Sequence, residues 1–240
     1  MTKKNIFFLV EGKTEALSTP WAKKGLWSIL KPEIEWMRGK KIFFDTYRFN
    51  GKYAMQDNLS FRVSQLFNPP KKTVDKAKAN GKPLVDYVFI LRDLDCEDKE
   101  KIKKERDNDL SDYKGRYSIH FAVQEIEAWM IADLNCFNII YKSKNKYTEI
   151  VSAIKKISYS SMPEEIGCEP KKISGLLEDI AHKYKSRYRK TIEGPQLLEV
   201  INPDVVASKC PSFADFRNDL RSHIGFPPII PQPMSTHSTS

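Results

Sequence analysis

The sequence predicts an α/β fold, a parallel sheet flanked by helices and followed by a mainly helical C-terminal part. Three observations carry this. The strand candidates are short, continuous apolar runs, as strands buried on both faces require, and do not alternate in and out. Polar, helix-like segments separate them, so strand and helix alternate through roughly the first 135 residues. Beyond that point strand runs become scarce.

The first run, Ile6 to Val10, ends in Glu11 and Gly12. The stretch continues Gly12-Lys13-Thr14, the last three letters of a phosphate-binding loop. Such a loop needs a glycine five positions earlier, so that successive backbone N–H groups can wrap a phosphate. Position 7 is Phe7, and Phe8, Leu9 and Val10 are strand residues. Glu11 would also repel a triphosphate, so the motif is read as a strand end followed by a turn. Thr14 is then expected to cap a helix that Pro20 interrupts or restarts.

"KKIFFDTYRF" (Lys40 to Phe49) reads as the second strand, and "NLSFRVSQLF" (Asn58 to Phe67) has helical spacing. Asn68 to Pro83 is polar, basic and punctuated by Pro and Gly, hence a surface loop or short helix. "LVDYVFILRDLDCED" (Leu84 to Asp98) is the strongest strand and ends in a burst of acid. Lys99 to Leu110 is a charged helix. "RYSIHFAVQEIEAWMIADL" (Arg116 to Leu134) starts as a strand and turns helical near Gln124. Tyr147 to Ile157 and Pro170 to Tyr188 look helical. "FPPIIPQPMSTHSTS" (Phe226 to Ser240) has the composition of a disordered tail. The expected division is an α/β domain over 1–135, a helical extension packed on it over 136–224, and a tail over 225–240.

The 240 residues suffice for one large domain with an extension, and 40% apolar content suffices for a core. Formal net charge is +9, from 40 Lys plus Arg against 31 Asp plus Glu. That excess suits a polyanionic partner, and equally a basic surface without one. The four cysteines (Cys96, Cys136, Cys168, Cys210) form no C-x-x-C pair, and reduced thiols are expected. No apolar run approaches the roughly 18 residues of a membrane span. The apolar run near the start is too short for a signal peptide, so a cytoplasmic protein without membrane contact is expected.

Acidic residues gather at the strand ends. Glu11 follows the first strand, Asp93 and Asp95 the third, with Glu97 and Asp98 just beyond, and Glu125 and Glu127 the fourth. Each alone is what a helix start or a solvated loop also shows. In a parallel sheet, however, these ends share one edge, the edge at which ligands bind. Carboxylates gathered there repel one another unless a cation sits among them. A hard divalent ion with oxygen ligands, Mg²⁺ or Mn²⁺, is the expected cofactor. If the strand runs on, Asp93 and Asp95 point the same way and both reach one metal site. Two metals about 3.5–4 Å apart could stabilise both the attacking and the leaving oxygen of a phosphodiester. Glu15, in the turn after Glu11, joins the candidate ligands.

"FFLVEGKTE" followed by "FILRDLDCED" resembles the Toprim domain of topoisomerases, primases and OLD-family nucleases. Its signature is a glutamate after the first strand and D-x-D after the third. "FAVQEIEAWMIAD" is closer still to small bacterial Toprim-like proteins, often of unknown function, and "YRKTIEGPQLLEVIN" and "CPSFADF" extend the likeness over most of residues 5–220. The resemblance implies a Toprim-like sheet, with Glu11 as general acid/base or metal ligand and Asp93 and Asp95 as ligands. Glu127, and Glu125 beside it, would complete the cluster. It also implies Lys190 as a stabiliser of phosphate charge. No topoisomerase tyrosine, primase zinc module or fused ATPase is recognisable. A metal-dependent nuclease of DNA or RNA is therefore expected, in a defence or mobile-element setting. A module acting only with a separately encoded ATPase is the alternative.

Basic residues would clamp the nucleic acid: Lys13, Lys101, Lys103, Lys104 and Arg106 near the acidic edge, and Arg187 and Arg189 in "HKYKSRYRK". That last stretch interleaves Tyr184 and Tyr188 with cations, as nucleic-acid surfaces do, although a solvated helix face looks the same. The four histidines follow no metal-ligand spacing, and no Ser/His/Asp set can be assembled. A receiver-like phospho-acceptor, which also gathers acids at strand ends, fits the early Glu-Gly turn and Glu127 poorly.

Overall fold

The computed structural model describes residues 4–12, 16–19, 22–141, 147–159, 162–166 and 171–228. Its strands are β1 (Asn5–Val10), β2 (Ala16–Thr19), β3 (Ala22–Gly25), β4 (Phe43–Arg48), β5 (Tyr87–Asp93) and β6 (Tyr117–Ala122). In the first half the helices are α1 (Leu26–Ile29), α2 (Lys31–Gly39), α3 (Lys52–Phe67), α4 (Lys71–Ala79) and α5 (Lys99–Asp109). The second half is helical: α6 (Glu127–Ala132), α7 (Asn135–Tyr141), α8 (Tyr147–Tyr159), α9 (Ile173–Lys183), α10 (Glu193–Val200), α11 (Pro203–Lys209) and α12 (Pro211–Ile224).

The main sheet has the order β4-β1-β5-β6, and every pair in it is parallel. The predicted α/β class is therefore the observed one. Each β1 side chain alternates between two cores. Ile6, Phe8 and Val10 join Leu26, Ile29 and Ile34 on one face, together with α6, α7, α9, α10 and α12. Leu9 faces the other side, where Met55, Leu59, Val63 and Phe67 of α3 cover it. Both faces of the strand are thus apolar, which is why it reads as a continuous run.

The chain leaves β1 toward β4, then returns to the opposite side of β1 to form β5 and β6. The carboxyl ends of β1 and β5 therefore flank a topological switch point, where parallel sheets leave a crevice. Glu11 and Asp93 are the residues at those two ends.

Three local readings change. The segment expected to form a helix from Thr14 instead pairs β2 with β3 antiparallel, and helix begins only at Leu26. Helix α9 stops at Lys183, where Lys185 adopts a left-handed backbone (φ 53), so 184–192 is irregular. Within the expected tail, Phe226 packs edge-on against Trp36 at 5.0 Å, and residues 229–240 lie outside the described ones.

The helical part and the sheet share the first core, whose buried residues run from Ile6 to Ile224. Helix α12 is also clasped to α2 by buried charge. Glu33 Oε1 accepts from Arg217 Nε at 2.7 Å and from Arg221 Nε at 2.6 Å. Cys136 and Cys210 are buried free thiols, but Cys96 is disulfide-bonded, correcting the expectation of reduced thiols throughout. Spacing along the chain does not limit pairing in space. Among the described residues no helix is long and apolar enough to cross a membrane.

Candidate metal centre

Strand β5 delivers Asp93 into the crevice, buried, with its two oxygens on different partners. Oδ1 accepts the Ile126 amide at 2.9 Å, and Oδ2 lies 3.0 Å from Lys190 Nζ. Beyond β6 the chain makes a tight turn. Gln124 is left-handed (φ 63), and the Glu125 amide reaches the Val123 carbonyl at 3.0 Å. A non-glycine residue in that backbone region is uncommon and marks a constrained turn. The turn carries Glu125 and places Glu127 at the first position of α6.

One carboxylate oxygen each from Asp93, Glu125 and Glu127 lies within 4.8 Å of the others, and all three residues are buried. Lys190 enters from the irregular 184–192 segment and meets all three. Its Nζ is 3.0 Å from Asp93 Oδ2, 3.3 Å from Glu125 Oε1 and 3.0 Å from Glu127 Oε2. The remaining oxygens are held from the C-terminal half. Glu125 Oε2 accepts the Ser174 amide in the first turn of α9 at 3.1 Å, where the helix dipole favours an anion. Glu127 Oε1 accepts the Tyr188 hydroxyl at 3.0 Å. Burial keeps that phenol protonated, so it stays a donor. Glu127 Oε2 has its 3.0 Å ion pair with Lys190 and no further donor.

Glu11 stands beside this tripod, 8% exposed, with Oε2 unbonded and 4.0 Å from Arg92 Nε. Burial, reinforced by the Asp93 charge, pushes its carboxyl up to about 7. Burial also pushes Glu127 up to about 7, although Lys190 works against it. Asp93 is raised by the same cause. Carboxyls so displaced are what a cation-binding or proton-transferring site produces.

Asp95 does not point with Asp93. The strand ends at Asp93, and Asp95 and Cys96 turn through left-handed backbone (φ 53 and φ 65). The expected same-face D-x-D geometry fails because it requires the strand to continue. Asp95 instead pairs with Lys172 and lies 3.9 Å from Lys52. Lys52 also holds Glu97 at 2.7 Å, and Arg92 holds Glu97 at 2.6 Å. Lys52, Arg92 and Lys172 surround the acids and were not singled out by sequence, and Tyr188, read there as part of a nucleic-acid surface, instead bonds to Glu127. A lone Lys after a glycine turn carries no signal. Arg92 could have been noticed as a charge inside an apolar strand.

Glu15 and Lys13 lie outside the described residues. On α5, Lys101 and Lys104 are exposed, while Lys103 pairs with Asp107 at 2.6 Å and Arg106 with Asp109 at 2.8 Å. These two pairs are ordinary within-helix contacts. Arg187 and Arg189 do share a feature: with His182, Lys183, Lys185, Ser186 and Glu193 they line a groove of about 720 Å³, and Lys190 follows Arg189 in the chain. Arg189 is partly neutralised by Glu193, 2.8 Å away. His120 pairs with Asp219 at 2.9 Å, a structural tie between β6 and α12.

The donor set fits a hard divalent cation: three buried carboxylates, each with an oxygen within 4.8 Å of the others. A family model described as a domain of unknown function (DUF4276) matches residues 10–221, a span that includes every acid of the tripod, Glu11 and Lys190. No curated protein and no solved structure matches the chain.

Proposed function

The chain belongs to the DUF4276 family, and we propose that it is a divalent-cation-dependent phosphodiesterase acting on DNA or RNA. The observation that carries this reading is the convergence of Asp93, Glu125 and Glu127 at the switch point of a parallel sheet. The sequence resemblance to Toprim-containing nucleases points the same way, and the basic groove at 182–193 supplies a surface for a phosphate backbone.

In this reading Asp93, Glu125 and Glu127 hold Mg²⁺ or Mn²⁺. The ion would polarise the scissile phosphate and offset its developing charge. Glu11, with its carboxyl near 7, can take a proton from attacking water or return one to the leaving oxygen. Arg92 sits against Glu11 and steadies its ionised form. Lys190 supplies a cation for the phosphate oxygens, and Tyr188 fixes Glu127 through its hydroxyl. Lys183, Lys185 and Arg187 lead the strand toward the centre.

The test is cleavage of a panel of labelled DNA and RNA substrates with Mg²⁺, Mn²⁺ or EDTA. Wild type is run beside folded Glu11→Gln and Glu127→Gln. Metal-dependent cutting, reduced about 10²–10⁴-fold in either variant, is expected. Cutting that persists in EDTA, or in folded Glu127→Gln, overturns the assignment. A folded wild-type chain that cuts nothing sinks the stand-alone enzyme and turns attention to an ATPase partner.

A further inference from the structure

We propose that the Lys190 ammonium is a built-in competitor for the cation site, so that metal entry expels it from the tripod and delivers it toward the substrate groove. This rests on the reading of Asp93, Glu125 and Glu127 as that site.

The ammonium already occupies the position of the ion. Its contacts at 3.0, 3.3 and 3.0 Å are to one oxygen of each of the three acids, the same three residues that each bring an oxygen to within 4.8 Å of the others. A divalent ion bound to the same oxygens at about 2.0–2.2 Å leaves no room for Nζ, and adds like-charge repulsion at close range. The two cations therefore exclude one another.

Withdrawal is mechanically simple. Tyr188, buried and bonded to Glu127, pins the backbone two residues away. Lys190 itself is 30% exposed along its side chain, so its flexible stem reaches in from the solvent side. Rotation about that stem removes the head group without disturbing the anchor. Its chain neighbour Arg189 lines the basic groove, so the released ammonium joins a cationic surface. The resting chain thus neutralises its own acids, and the loaded chain gains a phosphate-facing charge.

Two measurements decide it. The first is Mn²⁺ affinity by electron paramagnetic resonance for wild type and Lys190→Gln, each checked for a cooperative thermal melt. Removing the competitor should tighten Mn²⁺ binding at least tenfold while cleavage falls. Equal or weaker affinity in a folded variant overturns the competition and leaves the metal reading intact. No Mn²⁺ bound by either protein removes both.

The second measurement needs no variant. Wild-type chain is acetylated with an amine-selective ester, with and without Mg²⁺, and Lys190 is followed by mass spectrometry. Its modification should rise severalfold on metal addition, with the exposed Lys31 at the start of α2 as the internal control. Unchanged or lower Lys190 labelling at saturating Mg²⁺ overturns the proposal.

Discussion

Asp93 Oδ1 accepts the Ile126 amide at 2.9 Å, which locks the end of β5 to the turn after β6. The same carboxylate turns Oδ2 toward Lys190. One residue thus joins the scaffold to the acidic cluster, and the two jobs can be separated. Asp93→Asn keeps an acceptor for the Ile126 amide and loses the charge. It should fold with near wild-type stability and bind Mn²⁺ far more weakly. Asp93→Ala also orphans a buried N–H, which costs about 1–3 kcal/mol. Urea unfolding and Mn²⁺ titration of both variants check this. An alanine variant as stable as the asparagine one would show the tie to be idle.

The acids at the strand ends were legible because β1 and β5 are buried on both faces, and only an abrupt change of chemistry breaks such a run. Glu11 and Asp93 stand out for that reason. Asp95 was misread because a left-handed turn leaves no mark when the residue adopting it is not glycine. The hairpin β2–β3 was missed for a related reason: Thr14 and Pro20 look like helix punctuation, and pairing between two short segments is a tertiary choice. Lys172 and Tyr188 come from the helical half, far away in sequence, and only packing brings them to the acids. Lys190 was found through resemblance, and no local pattern around it specifies a tripod of carboxylates.

The raised carboxyls fix a direction for pH dependence. Glu11 and Glu127 ionise near 4.5 in an unfolded chain and near 7 when folded. Between those values the folded chain holds protons that the unfolded chain has released. Their contribution to stability is full below about 4.5 and is lost as pH rises toward about 7. In the metal-free protein, the stability of wild type relative to Glu127→Gln should therefore fall from pH 5 to pH 8. Mn²⁺ affinity should rise over the same interval, because binding needs the ionised acids. Paired urea midpoints at the two pH values read the first effect, and titrations with Mn²⁺ the second. A Mn²⁺ affinity independent of pH between 5 and 8 would exclude Glu127 as a ligand with a raised carboxyl.

Glu33 bears on stability, not on the site. It is fully buried and accepts from both Arg217 and Arg221, the first of them 1% exposed. Glu33→Ala leaves two guanidinium groups in a poorly solvated seam between α2 and α12, and the loss should be about 3–5 kcal/mol. Arg217 keeps Asp204 at 2.6 Å, so the lower end is expected. Denaturant unfolding measures it, and a loss under 1 kcal/mol would show that water enters the seam.

Asp95 supplies the sharpest contrast with the D-x-D reading. It is clamped by Lys172 and lies near Lys52, outside the three-acid tripod. Around the crevice the acids Glu11, Asp93, Asp95, Glu97, Glu125 and Glu127 face the cations Lys52, Arg92, Lys172 and Lys190. Among the described residues, only Asp93, Glu125 and Glu127 form a three-acid cluster that could hold an ion. One tightly bound Mn²⁺ per chain is therefore expected, and Asp95→Ala should leave its affinity within about threefold while Asp93→Asn nearly abolishes it. Mn²⁺ counting by electron paramagnetic resonance reads both quantities together. Two equivalent ions per chain, or an Asp95→Ala variant that loses the ion as Asp93→Asn does, would restore the two-metal arrangement and place Asp95 among its ligands.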